Sequence, residues 1–211
     1  MKITIIYDNT VCHPDLIPDW GFACLVETGN HTLLFDTGAR GRLLLNNMKT
    51  LGISPHAIDM VFLSHDHFDH TGGLQDFLSV QPTKVVAPAG CRVPPTATDV
   101  IGINQPMQIG DGLYSTGALD DFEQSLVIRQ DDRMVVVVGC SHPGVGRILE
   151  AASGFGRVNT LVGGLHGFND FPLIETLDGV CPTHCTQHIT EIKQRFPEKY
   201  LAGGAGTVLQ L

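Results

Sequence analysis

Short apolar runs separated by turn residues dominate the first half of the chain. Ile3–Tyr7, Phe22–Glu27 and Thr32–Phe35 are rich in β-forming residues and are bounded by turn pairs such as Asp8-Asn9. Runs of this length and composition predict strands, and their short connections predict an antiparallel meander. The chain therefore opens with a sheet.

A helix follows this meander. Leu44, Leu45, Met48 and Leu51 recur at intervals of three and four residues, which predicts a helix over Gly41–Leu51. Further strands are predicted at Met60–Leu63, Lys84–Ala87, Leu113–Thr116, Ser125–Arg129, Met134–Val138, Val158–Val162 and Thr207–Leu211. Further helices are predicted at Gly72–Val80, Val145–Ala152 and Gln187–Phe196. Residues 88–111 hold many Pro and Gly and predict a long connection with no more than one strand.

Two strand-rich halves that each carry helices predict two packed sheets with helices outside, an α/β sandwich. A length of 211 residues suits one substantial core, so we expect a single domain over residues 1–211. A doubly wound parallel sheet is the alternative fold, and the opening meander favours the sandwich because its strands pair antiparallel.

Composition narrows the functional classes. The 22 acidic and 13 basic residues give a formal net charge of −9, which argues against nucleic acid as a partner. The apolar start of MKITIIYDN is too short for a signal peptide, and no segment reaches about 18 uninterrupted apolar residues. We therefore expect a soluble cytoplasmic protein without a membrane partner, whose six cysteines are thiols.

The candidate chemistry begins with the segment S-H-D-H-F-D-H after the predicted strand Met60–Leu63. His65 and His67 are two residues apart, so an extended backbone points both to the same side. Asp69 and His70 follow where the chain turns towards the next helix. Imidazole and carboxylate ligands suit zinc, iron or manganese. Four ligands in one loop suggest two ions, with His65 and His67 on one and Asp69 and His70 on the other.

Three later strands end on a histidine. G-C-S-H-P-G makes His142 the candidate third ligand of the first ion, and Cys140 in the same segment either supplies a thiolate or packs as a small buried group. His166 and His184 end the next two strands. We expect His184 to be a ligand and His166 to act as an acid or to orient a ligand.

Asp36, in L-L-F-D-T-G, follows another strand. Its carboxylate is expected either to hydrogen-bond a ligating imidazole or to cap the turn at Thr37-Gly38. Cys181 and Cys185 flank His184, but a single pair four residues apart is weak evidence for structural zinc.

The sequence resembles the metallo-β-lactamase superfamily. S-H-D-H-F-D-H matches its H-x-H-x-D-H signature and L-L-F-D-T-G its early strand and turn. G-C-S-H-P-G, G-G-L-H-G-F and P-T-H-C-T are similar to the branch named after the archaeal synthase of dihydropterin-ribofuranosylaminobenzene phosphate. The resemblance implies a four-layer αββα fold with a dinuclear site at one edge. The chain departs from hydrolytic members in lacking their G-H-T-P-G-H element and in carrying Gly139-Cys140 where Gly-Asp is usual.

The expected function is a metal-dependent hydrolase that activates water against an ester, phosphoester or amide bond of a small, phosphorylated or unphosphorylated molecule. Its cofactors are two divalent ions, with zinc favoured over iron or manganese. Asp69 would orient the water and His166 would protonate the leaving group. A pterin-type synthase acting on a phosphorylated substrate and an iron-dependent redox enzyme are the alternatives.

Overall fold

The computed structural model describes every residue from Met1 to Leu211. Thirteen strands run through the chain: β1 Lys2–Tyr7, β2 Ala23–Glu27, β3 Thr32–Phe35, β4 Met60–Phe62, β5 Lys84–Pro88, β6 Asp99–Ile103, β7 Met107–Gly110, β8 Leu113–Ser115, β9 Leu126–Gln130, β10 Arg133–Val138, β11 Thr160–Gly164, β12 Gly179–Thr183 and β13 Val208–Gln210. The helices are α1 Gly41–Thr50, α2 Phe68–Thr71, α3 Leu74–Val80, α4 Val145–Ser153, α5 Pro172–Glu175 and α6 Ile189–Arg195, with a 3₁₀ turn at Pro55–Ala57. No helix is long and apolar enough to cross a membrane.

The strands form two sheets. The first has the order β13-β1-β2-β3-β4-β5-β6 and the second the order β12-β11-β10-β9-β8-β7. The opening meander β1-β2-β3 is antiparallel, as predicted, but β3 to β6 pair in parallel. In the second sheet β10, β11 and β12 are parallel and the remaining pairs antiparallel. Both sheets are therefore mixed, and each has a parallel part whose strand ends share one edge.

The predicted four-layer sandwich is confirmed, because the buried side chains divide into three layers. The central cluster lies between the two sheets and includes Phe35, Phe62 and Ile128. A second cluster joins the outer face of the first sheet to α1 and α3. A third joins the outer face of the second sheet to α4, α5 and α6. Helices thus cover each sheet on the side away from the other sheet.

Several segments differ from the sequence prediction, among them the short helix α5 and the 3₁₀ turn, which it did not include. Residues 88–111 hold two strands, β6 and β7, whose exposed edge positions leave only a weak apolar pattern. The helix predicted at Gly72–Val80 starts at Leu74, and a separate short helix at Phe68–Thr71 precedes it. The strand predicted at Val158–Val162 is shifted to Thr160–Gly164, because Gly163 and Gly164 pair with the neighbouring strand β12.

The packing between the sheets predicts a large cost for a cavity at Ile128, which is fully buried in the central cluster. Ile128→Ala should lower the free energy of unfolding by about 2–5 kcal/mol. The control is Val100→Ala on the edge strand β6, where the side chain is 50% exposed and the change should stay within about 0.5 kcal/mol. Denaturant titration measures both, and equal effects would contradict this account of the core.

Candidate metal centre

The candidate site forms where the parallel ends of both sheets meet. His65 follows β4 in the first sheet, whereas Cys140, His166 and His184 follow the parallel strands β10, β11 and β12 of the second. The sheets approach closely here, since a Cβ added to Gly139 would lie 2.2 Å from Ser64 Oγ. Chain segments far apart in sequence therefore present their side chains to one small volume.

Two groups of donor atoms lie in this volume. His65, Cys140 and His142 place one donor atom each within 4.8 Å of one another, and so do His70, Cys140 and His184. Cys140 belongs to both groups, with its Sγ 3.2 Å from His70 Nε2. The cysteine therefore lies where a single ligand could bridge two ions.

His67 and Asp69 flank these groups. His67 is exposed, with its Nδ1 3.0 Å from His65 Nε2 and its ring centroid 5.0 Å from that of His142. Asp69 Oδ2 lies 3.4 Å from His184 Nε2. The structure thus brings together His65, His67 and His142 on one side and Asp69, His70 and His184 on the other, whereas the sequence assigned His184 to neither ion.

Four of the histidines present the same nitrogen to the site. The Nδ1 atom of His70 lies 2.7 Å from an Asp36 oxygen, that of His142 2.7 Å from a Glu123 oxygen, that of His184 3.1 Å from Asn9 Oδ1, and that of His65 2.9 Å from Ser64 Oγ. Each of these acceptors holds the proton on Nδ1 and leaves the lone pair on Nε2. This tautomer is the one that a metal-ligating imidazole needs.

Burial keeps the innermost imidazoles neutral. Removal from water lowers the pKa of both His65 and His70 to about 3, with neighbouring histidines adding to the effect. His184 Nε2 is buried and has no hydrogen-bond partner, because Asp69 lies near it without hydrogen-bond geometry. An orphaned buried nitrogen is costly, and a bound cation would relieve that cost. The donor set of imidazole, thiol and carboxylate therefore fits a divalent metal such as zinc.

Asp69 is ionised. Burial opposes its charge, but the nearby imidazoles of His184 and His70 favour it, and the pKa of Asp69 is lowered. An ionised carboxylate beside two imidazole nitrogens can bind a cation or orient a water molecule by accepting a hydrogen bond from it. The position of Asp69 is compatible with both of its expected roles.

Asp36 lies behind the histidines, fully buried. It accepts hydrogen bonds of 2.7 Å from the Ser64 amide and from the Ser64 hydroxyl, in addition to the contact with His70. Burial raises the pKa of Asp36 to about 7. Of the two expected roles for Asp36, the structure shows the hydrogen bond to an imidazole.

Glu123 has the corresponding position on the other side, and the sequence prediction missed it. One carboxylate oxygen accepts hydrogen bonds from the amides of Cys140 and Ser141, and the other accepts from the amide and ring of His142. Burial opposes ionisation, yet the hydrogen bonds from His142 lower the pKa of Glu123 to about 2. Glu123 thereby fixes the whole loop after β10. Its segment D-D-F-E-Q holds three acidic residues and no recognised spacing, so the sequence does not distinguish Glu123 from its acidic neighbours.

The loop after β1 holds His184, which the sequence also did not show. Asp8 Oδ1 accepts a 2.8 Å hydrogen bond from the His184 amide, and the Asn9 side chain bonds both the ring and the carbonyl of His184. The sequence indicates only a turn at these two residues. Their contacts span more than 170 positions along the chain, which no local pattern reveals.

Left-handed backbone conformations concentrate at this edge. Asp36, Ser141, His166 and His184 have φ angles of +53°, +61°, +48° and +50°. Such conformations cost non-glycine residues about 1–3 kcal/mol each and persist where surrounding contacts enforce them. Here they turn the chain sharply at the strand ends and direct the side chains into the site.

His166 lies at the rim. Its side chain is exposed and its ring centroid is 5.3 Å from that of His142. A cavity of about 400 Å³ adjoins it, lined in part by Ser141, Phe168 and Asp170. A histidine between the donor groups and a cavity is well placed to exchange a proton with a bound molecule.

The cysteines of C-P-T-H-C separate in the structure. Cys181 is buried in the central core, whereas Cys185 lies beside Cys140 with its Sγ 3.8 Å from the Cys140 carbonyl oxygen. The two thiols therefore lie in different environments. All six cysteines are free thiols, as expected.

Comparison with known proteins now places the chain in a family. The family model of the metallo-beta-lactamase superfamily matches residues 19–190, most of the chain. The protein belongs to the metallo-beta-lactamase superfamily.

Individual proteins resemble the chain over nine-tenths or more of its length. The 7,8-dihydropterin-6-methyl-4-(beta-D-ribofuranosyl)-aminobenzene-5'-phosphate synthase of Methanocaldococcus jannaschii is 24% identical, with 92% of this chain and 91% of the relative covered. A solved structure described as a metal-dependent hydrolase of the beta-lactamase superfamily has a TM-score of 0.81 and 26% identity, covering 100% and 99% of the two chains. A metallo-beta-lactamase fold protein from Bacillus subtilis has a TM-score of 0.71 and 14% identity, covering 99% of each chain, and shows the shared fold.

The Glu123 contacts predict a strong effect of Glu123→Gln. The amide nitrogen of Gln would oppose N–H donors that the carboxylate accepts, so the free energy of unfolding should fall by about 3 kcal/mol at pH 7. Because the pKa of Glu123 is lowered from its usual value to about 2, its contribution is present above about pH 4.5 and lost as the pH falls towards 2.

Denaturant titrations of wild type and Glu123→Gln at several pH values measure this difference. The control is Glu150→Gln on the exposed face of α4, which should change stability by less than about 0.5 kcal/mol. A Glu123→Gln effect that stays constant down to pH 2 would contradict the assigned ionisation of Glu123.

Proposed function

We propose that this superfamily member is a metal-dependent hydrolase with a dinuclear centre. The first ion would be held by His65, His67 and His142, and the second by Asp69, His70 and His184. Cys140 would contribute a thiolate to both. The observation that carries this proposal is the common tautomer of His65, His70, His142 and His184, which leaves their Nε2 atoms as free donors around one volume.

Zinc is the ion that we propose, because it accepts imidazole, carboxylate and thiolate ligands together. Manganese prefers oxygen ligands and fits a thiol less well. When bound, two such ions would polarise a substrate oxygen and lower the pKa of a water molecule to about 7.

The protein's own residues would do the remaining work. Asp69, ionised at neutral pH, would accept a hydrogen bond from the attacking water and orient it towards the substrate. His166, exposed beside the cavity, donates a proton to the leaving group. The hydrogen-bond partners of Asp36 and Glu123 are imidazoles, backbone amides and the Ser64 hydroxyl, so these carboxylates would position the ligands without contacting the substrate.

A pterin-type synthase is the second candidate, and the likeness to the Methanocaldococcus synthase over nine-tenths of both chains favours it. In that case the same ions would bind phosphate oxygens of the substrate while a new bond forms. Formation of the product named for that synthase, without hydrolysis of ester or phosphodiester substrates, would identify this activity.

Hydrolysis and metal content are tested together with His184→Ala. The purified protein should contain two equivalents of zinc and hydrolyse p-nitrophenyl acetate or bis(p-nitrophenyl) phosphate. His184→Ala should lose at least one equivalent and reduce turnover by about a hundredfold or more, since a ligand of one ion is removed. The control, His56→Ala, alters an exposed histidine in the 3₁₀ turn and should leave both unchanged. An iron-coloured protein without hydrolytic turnover would instead support a redox enzyme.

Because Cys140 belongs to both groups of donor atoms, its substitution is expected to affect zinc binding. Cys140→Ser should reduce zinc affinity by about 10- to 100-fold, because a serine hydroxyl stays protonated at neutral pH where a metal-bound thiol does not. The exposed residue Cys12 supplies the control, and Cys12→Ser should bind zinc as wild type does. Competition with a chromophoric chelator measures both affinities. Unchanged zinc binding by Cys140→Ser would show that this residue only packs.

A further inference from the structure

Trp20 leaves a large apolar surface exposed beside the candidate metal centre. It is the only tryptophan in the chain, and its side chain is 53% exposed. Its ring centroid lies 5.1 Å from that of His184, with the ring planes at 57°. One part of the indole therefore covers a buried proposed ligand and the rest faces solvent. An exposed apolar surface at the mouth of a polar site indicates a binding surface.

The segment that carries Trp20 is held in place on one side by Asp19. The Asp19 carboxylate accepts hydrogen bonds from the Tyr7 hydroxyl and, at 2.6 Å, from Arg40 Nε. The Asp19 amide donates to the Asp8 carbonyl. The Arg40 guanidinium is already paired with Asp19. The surface around Trp20 therefore offers a ligand apolar contact and not a free positive charge.

Gly21 holds the segment on the other side. Its amide donates to Asn9 Oδ1 at 3.2 Å, and Asn9 also bonds His184. A Cβ on Gly21 would lie 2.5 Å from the carbonyl oxygen of Asp69, so only glycine permits this approach. The chain on each side of Trp20 is thus held by hydrogen bonds, and its ring lies beside His184 of the second donor group. A ring fixed in this way loses little conformational entropy when a ligand packs on it.

Two further aromatic side chains surround the centre. Phe68, between His67 and Asp69 in the chain, is 68% exposed. Phe122 is half-buried, with its ring centroid 5.3 Å from that of His65 and 5.2 Å from that of His67. Aromatic surfaces therefore lie next to both donor groups. Their flat faces are best matched by another planar ring.

We propose that Trp20 forms a stacking subsite for the planar aromatic ring of a ligand whose anionic group is held at the metal centre. The substrate would then be an aromatic or heteroaromatic compound with a phosphate, phosphonate or carboxylate next to the ring. This assignment rests on the proposed metal centre and adds the class of substrate to it. A packed ring would cover the exposed part of the indole and exclude water from the second donor group.

Two ligands of similar size and the same head group test the stacking subsite on the zinc-loaded protein. Phenylphosphonate and cyclohexylphosphonate share one head group, but only the first has an aromatic face. Calorimetry should show phenylphosphonate binding about two- to tenfold more tightly, the range expected for one aromatic pair. Binding should also change the emission of Trp20, the single indole of the chain.

Variants in the loop that carries Trp20 test whether this residue causes the preference for the aromatic ligand. Trp20→Ala should abolish the preference for phenylphosphonate while keeping the zinc content, and Trp20→Phe should keep most of it. The matched control is Ile17→Ala, because Ile17 is 51% exposed in the same loop and is not next to a proposed ligand. This variant should behave as wild type.

Equal binding of the two phosphonates, no binding of either, or an unchanged preference in Trp20→Ala would overturn the proposal. Loss of zinc in Trp20→Ala would overturn it as well, since Trp20 would then act on His184 alone. A protein that shows the aromatic preference but hydrolyses nothing would instead contradict the hydrolase assignment and leave the subsite intact.

Discussion

The contact between Gly139 and Ser64 is the constraint on which the site depends. No side chain fits at residue 139, because a Cβ there would lie 2.2 Å from Ser64 Oγ in the opposite sheet. Gln124 reinforces the contact, since its backbone and side-chain amides donate to the carbonyls of Ser64 and Leu63. With the sheet edges this close, Cys140 reaches within 3.2 Å of His70. This close approach thus brings the donor side chains that follow the strands of the two sheets into a single site.

Buried carboxylates determine the orientation of the imidazoles. Asp36 belongs to the first sheet and orients His70, and Glu123 precedes the strand β9 of the second and orients His142. A buried carboxylate is costly unless it is hydrogen-bonded, and each of these accepts three or more hydrogen bonds. Burial of these two carboxylates therefore lowers stability, and their role is to orient imidazoles and not to reach the substrate. This arrangement is typical of a site in which the direction of each donor atom matters.

The sequence predicts the parts of this molecule that depend on local periodicity. The apolar runs Ile3–Tyr7 and Met134–Val138 and the spacing of leucines in α1 appear as elements close to their predicted bounds. The histidine cluster and the three later strand ends identify the candidate site, because each motif lies within a few residues of a predicted strand. The strands β6 and β7 are weakly patterned, since they lie at sheet edges with much of their surface exposed.

Contacts between distant segments are what the sequence does not show. Glu123 meets its partners about 18 positions away and Asp8 meets His184 across 176 positions, so neither belongs to a recognisable motif. The role of Cys140 is a matter of geometry for the same reason. Its neighbours in the chain fit a packed thiol as well as a ligand, and they do not reveal that its Sγ lies 3.2 Å from His70 Nε2.

Anomalous diffraction at the metal absorption edges of a crystal of the zinc-loaded protein tests the central claim most directly. The account predicts two zinc peaks between His65, His142, His70 and His184, each within about 2.3 Å of Cys140 Sγ. Peaks that lie away from Cys140, or the absence of any metal among these four Nε2 atoms, would contradict it.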